Sequence, residues 1–210
     1  MVADWSVECS AEDPVLVVPW SSSDEGQAEL HFVDLRENPY DLDQISEAEQ
    51  HPPLMQALRA LNVPRSPVFT AKCDAWALNA EEIGELLHEL DLAELADHPH
   101  DEPGSPATAA GFASYIDLVW RDRTIFASFH QSEQLLHRLT RLAEPLDHPS
   151  AMLDCVLRPA LVDFTGAQEG YSITLYVKAL GPDLDSARES WSSALEAVVG
   201  LLRSKDIALA

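Results

Sequence analysis

The chain has 210 residues, 46% of them hydrophobic, with 36 acidic and 13 basic side chains and a formal charge of −23. That length and composition suit one large domain or two small ones whose core needs no disulfide or metal staple, and they exclude general disorder. The charge repels nucleic-acid phosphates and anionic membranes, and no apolar run approaches the roughly 18 residues needed to span a bilayer.

The opening "MVADWSVECSAEDP" has no basic region followed by an apolar stretch. The expectation is a soluble, cytoplasmic protein with no nucleic acid and no membrane among its partners.

In chain order, "WSVEC" and "PVLVVPW" read as strands, "SSSDEGQ" as a loop and "AELHFVDL" as a further strand. "DLDQISEAEQ" suggests a short helix. Pro52 and Pro53 stand at the start of a helix striped by Leu54, Met55, Leu58 and Leu61. "PVFTAKCDAWAL" is a strand. Asn79, with Glu82 three residues on, forms a capping-box pattern that opens a helix striped by Ile83, Leu86, Leu87 and Leu90. "ADHPHDEPGSPATAAG" is rich in Pro and Gly and has no apolar period, so it reads as a boundary.

Beyond it, "SYIDLVW" and "RTIFASF" suggest a tight hairpin with Arg121 to Arg123 at the bend. Ser132 caps a helix striped by Leu135, Leu136, Leu139 and Leu142, and Pro145 follows its end. The strands "AMLDCVL" and "YSITLYVKAL" precede a last helix from about Ser186, with Ala187, Trp191, Leu195, Val198 and Leu202 inward.

The order of elements repeats. Pro67 lies six residues before Cys73, and Pro149 lies six before Cys155, each proline following a leucine-striped helix and opening a strand. The expected fold is therefore α+β, with two similar halves from an internal duplication and antiparallel strands packed against helices on one face. Its divisions are a first half at 1–97, a linker at 98–111 and a second half at 112–210.

Three widely spaced cysteines, Cys9, Cys73 and Cys155, argue against a disulfide framework. Strand alternation puts Phe69, Ala71, Cys73, Ala75 and Ala77 on one apolar face and Val68, Thr70, Lys72, Asp74 and Trp76 on the other. Cys155 shares its face with Ala151, Leu153 and Leu157, opposite Met152, Asp154, Val156 and Arg158. An apolar face supplies neither base nor positive charge, so both thiols read as structural.

The candidate binding residues are those of the opposite face: Lys72, Asp74, Trp76, Asp154 and Arg158. A mixed aromatic and charged sheet face suits contact with a partner. "HPHDE" (His98 to Glu102) bunches metal-ligating side chains, but its spacing fits no zinc motif, and neither metal nor cofactor is expected. Phosphate-cradle glycines, a nucleophile elbow and a zinc-protease motif are absent from the sequence, so no catalytic residue is assigned.

The function expected is that of a non-catalytic acidic binding or assembly protein. It acts through protein–protein contacts on its uncovered sheet face or acidic surface, with a protein partner or with itself as a homodimer. The alternative is an enzyme or small-molecule-binding protein with a pocket between the halves.

Overall fold

The computed structural model describes residues 1–22, 30–38, 40–92, 109–205 and 207. Its centre is built from three long strands, β6 (Ala110–Trp120), β7 (Ala151–Asp163) and β8 (Ala167–Gly181). Each is rich in β-branched and aromatic residues, which fit a pleated, half-buried surface. β7 and β8 form an antiparallel hairpin, and β6 lies antiparallel on the other side of β8. Gly166, with φ of 121°, makes the β7–β8 turn, a backbone state that a side chain disfavours.

The earlier part of the chain supplies the flanks of the same sheet. β1 (Val2–Val7) and β2 (Leu16–Val18) lie end to end along β7, both parallel to it, and β5 (Val68–Ala77) pairs antiparallel with β6. The order is β1-β7-β8-β6-β5, with β2 beside β7 beyond β1. β3 (Ser21–Ser22) and β4 (Leu30–His31) form a separate pair.

Three helices cover one face: α2 (Pro52–Asn62), α5 (Phe129–Ala143) and α6 (Leu184–Leu202). Their leucine stripes meet Phe112, Ile116, Leu153, Cys155, Leu157, Ile173, Leu175 and Val177 in one core. Buried polar groups inside it are paired among the described residues, the Trp120 indole Nε1 excepted. Trp191 Nε1 donates to Ser114 Oγ at 2.9 Å, and Asn62 Nδ2 donates to Thr70 Oγ1 at 2.7 Å. A 3-10 turn at Asp41–Gln44 and α1 (Ser46–Gln50) fill the expected acidic helical stretch, and α4 (Arg123–Phe126) follows β6.

Several expectations are corrected. A duplication of two halves is not shown: residues on both sides of the 98–111 stretch share one sheet. The Cys73 strand is a flank of that sheet, while the Cys155 strand is interior, with β1 and β8 beside it. β6 begins at Ala110, and residues 98–108 of the linker lie outside the described residues. The strands are not all antiparallel, because β1 and β2 run parallel to β7.

Nor do the helices keep to one face. α3 (Ala80–Glu89) packs Leu86 with Ala113, Met152 and Leu180 on the second face. The hairpin expected at Arg121 to Arg123 is replaced by α4, because Asp122 accepts from the Thr124 and Ile125 amides and starts a helical turn. The cap of α5 is Ser128, and Ser132 is buried one turn in, donating to the Ile125 carbonyl at 3.0 Å. Among the described residues no helix is long and apolar enough to cross a membrane.

Candidate functional site

The second face carries the site, and a bulge in β5 decides which residues reach it. The β5–β6 register shifts between Thr70 and Cys73. An extra residue reverses the alternation beyond it. Phe69, opposite Val119, therefore lies on the second face, while Val68 and Thr70 join Cys73 and Ala75 on the helix-covered face. The simple alternation expected from sequence had these three reversed. Asp74 and Trp76 do face the second side, opposite Tyr115 and Ala113. Lys72 sits at the bulge, with its Nζ 5.1 Å from the Trp20 ring centroid.

Register places the remaining side chains. Across the sheet, Asp4 is opposite Asp154, Asp154 opposite Tyr176, and Tyr176 opposite Tyr115. Trp76, Tyr115 and Tyr176 form an aromatic row with centroids 6.3 and 6.1 Å apart, within the range of favourable ring contacts.

Beside this row runs a polar chain. Arg158 Nε meets Glu8 Oε2 at 2.7 Å, Arg158 Nη1 donates to Thr174 Oγ1 at 3.2 Å, and Thr174 donates to Asp117 Oδ1 at 2.5 Å. Arg158 Nη2 also reaches the Tyr176 hydroxyl at 3.5 Å. One guanidinium thus links a residue just past β1 to strands β7, β8 and, through Thr174, β6.

The electrostatics follow from burial and crowding of acids. Asp117 is 7% exposed, and burial holds its carboxyl above the ordinary aspartate range despite Thr174, Arg158 and Lys72. Asp154 is raised for the same first reason and by Asp4, Glu89 and Glu8, with Lys178 opposing. Cys73 is pushed up to about 12 by burial and by Glu47, Asp74 and Asp117, so its thiol is protonated and a poor nucleophile at neutral pH. Cys155 is fully buried, and burial raises its thiol well above the ordinary value.

Two clefts open beside these residues, one on the second face and one around the outer edge of the sheet. The first, about 340 Å³, lies between α3 and the sheet and is lined by Trp76, Tyr176, Asp154, Arg158, Lys178 and α3 glutamates. The second, also about 340 Å³, follows the outer side of β5 past Trp20, Lys72, Cys73, Asp74, Glu47 and Tyr115. The five residues singled out from sequence therefore divide. Trp76, Asp154 and Arg158 line the first cleft, Lys72 and Asp74 the second, and Tyr115 bridges them.

The sequence reading missed Tyr115, Asp117, Thr174 and Tyr176. The signal was present: Asp117 is a single acid in the apolar run "YIDLVW", and Ser172, Thr174 and Tyr176 alternate along "YSITLYV".

His98 to Glu102 lie outside the described residues. Among the described residues no group of three His, Cys, Asp or Glu side chains is placed to hold a metal ion. Comparison with known proteins finds no matching family model, curated protein or solved structure.

Proposed function

We propose that this chain is a non-catalytic acidic binding protein that takes up a cationic segment of a protein partner along the second face of its sheet. One observation carries the reading: the cleft between α3 and the sheet joins an aromatic floor to an acidic wall. Glu82, Glu85 and Glu89 follow one another at helical spacing on α3, and Glu8 and Asp154 line the opposite side. Arg158 already pairs with Glu8, Lys178 acts on Asp154, and Glu82 accepts from Trp76 and the Asn79 amide, so Glu85 and Glu89 are the acids in excess.

Arginine or lysine side chains entering the cleft gain carboxylate partners and the faces of Trp76 and Tyr176. The overall charge of −23 would steer such a segment inward from solution. The same charge favours a foreign cationic partner over a homodimer on this face, because two copies would bring acid walls together.

The test is calorimetric titration with an arginine-rich peptide at low salt. Binding of about micromolar strength is expected, weakening as salt rises. Glu85→Gln with Glu89→Gln should weaken it about tenfold, on the scale of two lost charge contacts. Removing two exposed acids elsewhere, Glu189→Gln with Glu196→Gln on α6, should leave it nearly unchanged. Equal weakening by both pairs would mean that only net charge matters, and the proposal would fail.

The alternative is an enzyme or small-molecule-binding protein that uses the same cleft, whose lining comes from both sides of the 98–111 stretch: Trp76 and the α3 glutamates from before it, Asp154, Arg158, Tyr176 and Lys178 from after it.

A further inference from the structure

We propose that a cleft at the end of the sheet opposite α3 binds a small oxyanion, the phosphate or carboxylate group of a ligand, through Arg121 and Arg123 with Arg36 in its wall. The cleft is about 500 Å³ and lies where β5 begins, β6 ends and β7 turns into β8. Three of the chain's 13 basic residues line it, in a protein with 36 acids.

With acids so abundant, an arginine without a carboxylate partner needs explaining. Arg36 has one: it meets Asp34 at 2.6 Å, and its guanidinium carbon lies 3.6 Å from the Phe164 centroid and 4.4 Å from that of Phe69. Arg121 and Arg123 do not. None of the ion pairs among the described residues includes either.

Arg121 instead donates from Nε to the Val68 carbonyl at 2.9 Å and from Nη2 to the Asn62 carbonyl at 3.0 Å. Arg123 reaches the Thr165 hydroxyl at 3.3 Å. These neutral acceptors orient the guanidinium groups and leave them without a carboxylate in direct contact among the described residues, with only Asp34 acting on Arg121. Asp122, between the two arginines in sequence, accepts from the Thr124 and Ile125 amides, and Asp163, between the cleft residues Val162 and Phe164, accepts from the Gly166 amide. Glu37 also lines the cleft and would oppose the ligand's charge.

One further observation points the same way. Burial and the like charge of Arg36 lower the pKa of Arg121, with Asp34 only partly opposing, so an anion here would relieve a repulsion already present. Fixed arginine forks with unused charge are the usual means of holding phosphate or carboxylate.

The experiment is calorimetric titration of the full chain with inorganic pyrophosphate in one arm and citrate in the other, at ionic strength matched with sodium chloride. Saturable binding in at least one arm, with a dissociation constant of about a millimolar or tighter, is expected, and the stronger arm identifies the group preferred. Arg123→Gln, at an exposed side chain whose loss should leave thermal unfolding unchanged, should weaken that binding about fivefold or more. Arg121→Lys, which keeps the charge but loses the fork, should also weaken it. Arg188→Gln on α6 should not. Heats no different from chloride in both arms, or binding indifferent to Arg123→Gln, would overturn the proposal.

Discussion

Glu82 holds Trp76 and its own helix at once: Oε1 accepts from Trp76 Nε1 at 3.2 Å, and Oε2 accepts from the Asn79 amide at 2.8 Å. The residue that completes the capping box of α3 is thus the residue that fixes the aromatic floor of the cleft. Glu82→Ala should cost about 1 kcal/mol in urea unfolding, as the loss of a cap does, and should shift the Trp76 indole resonance. Glu82→Gln keeps one acceptor oxygen, enough for the Asn79 amide or the Trp76 indole but not both, and should cost less than Glu82→Ala. Equal losses in the two variants would show that one retained acceptor does not hold the helix start.

Asp117 should make stability depend on pH in an unusual direction. Burial raises its native pKa above the unfolded value, so the native state binds the proton more tightly. The ionised carboxylate therefore weakens the fold above the native pKa, and the weakening is relieved as pH falls through that pKa toward the unfolded value. Asp117→Asn carries no charge and keeps an oxygen for Thr174. It should be more stable than wild type at neutral pH, with the gain shrinking toward about pH 4. A less stable variant at neutral pH would mean that the hydrogen bond from Thr174 outweighs the cost of burial.

The thiols should react in a fixed order. Cys9 is exposed, Cys73 is half-buried with its pKa pushed up to about 12, and Cys155 is fully buried. An aromatic disulfide reagent at neutral pH should label Cys9 first, Cys73 slowly and Cys155 only on unfolding. Fast native labelling of Cys155 would contradict its placement under α5 and α6.

Both flanks of the sheet carry the same local device. The Trp5 amide of β1 donates to Asp4 Oδ1 at 2.7 Å, and the Ala75 amide of β5 donates to Asp74 Oδ1 at 2.7 Å. On β5 the Ala71 carbonyl is also occupied, accepting from Trp20 Nε1 at 2.9 Å. Each aspartate places charge on an outer strand and satisfies a backbone donor that another chain would otherwise take. Asp4→Ala combined with Asp74→Ala should raise concentration-dependent association several-fold, read by sedimentation, with little loss of stability. Unchanged sedimentation would show that these flanks are closed by other means.

The helices were legible in the sequence because they are amphipathic and carry their own start signals, as Asn79 with Glu82 shows. The sheet was legible only strand by strand. Nothing local in "WSVEC" says that it lies parallel to a strand some 150 residues later, since Trp5 pairs with Cys155 through tertiary packing alone. The site was half legible for a related reason. Alternation found Asp74, Trp76, Asp154 and Arg158 on one side, but the bulge before Cys73 moved Phe69, Val68 and Thr70 to the faces opposite those expected. Asp122 caps a helix that the β-rich reading of "RTIFASF" concealed, and the same reading hid that the next helix starts at Ser128 rather than Ser132.

The binding proposal is tested most directly by locating a cationic peptide on the surface. Backbone and indole resonances of the labelled protein should be followed while an arginine-rich peptide is added. The Trp76 indole, the amides of Asp154, Tyr176 and Lys178, and those of α3 should shift together and saturate together, since all belong to one cleft. Shifts spread over acids on every side, or absent from Trp76 and α3 while the peptide binds elsewhere, would contradict the assignment of the second sheet face as the binding surface.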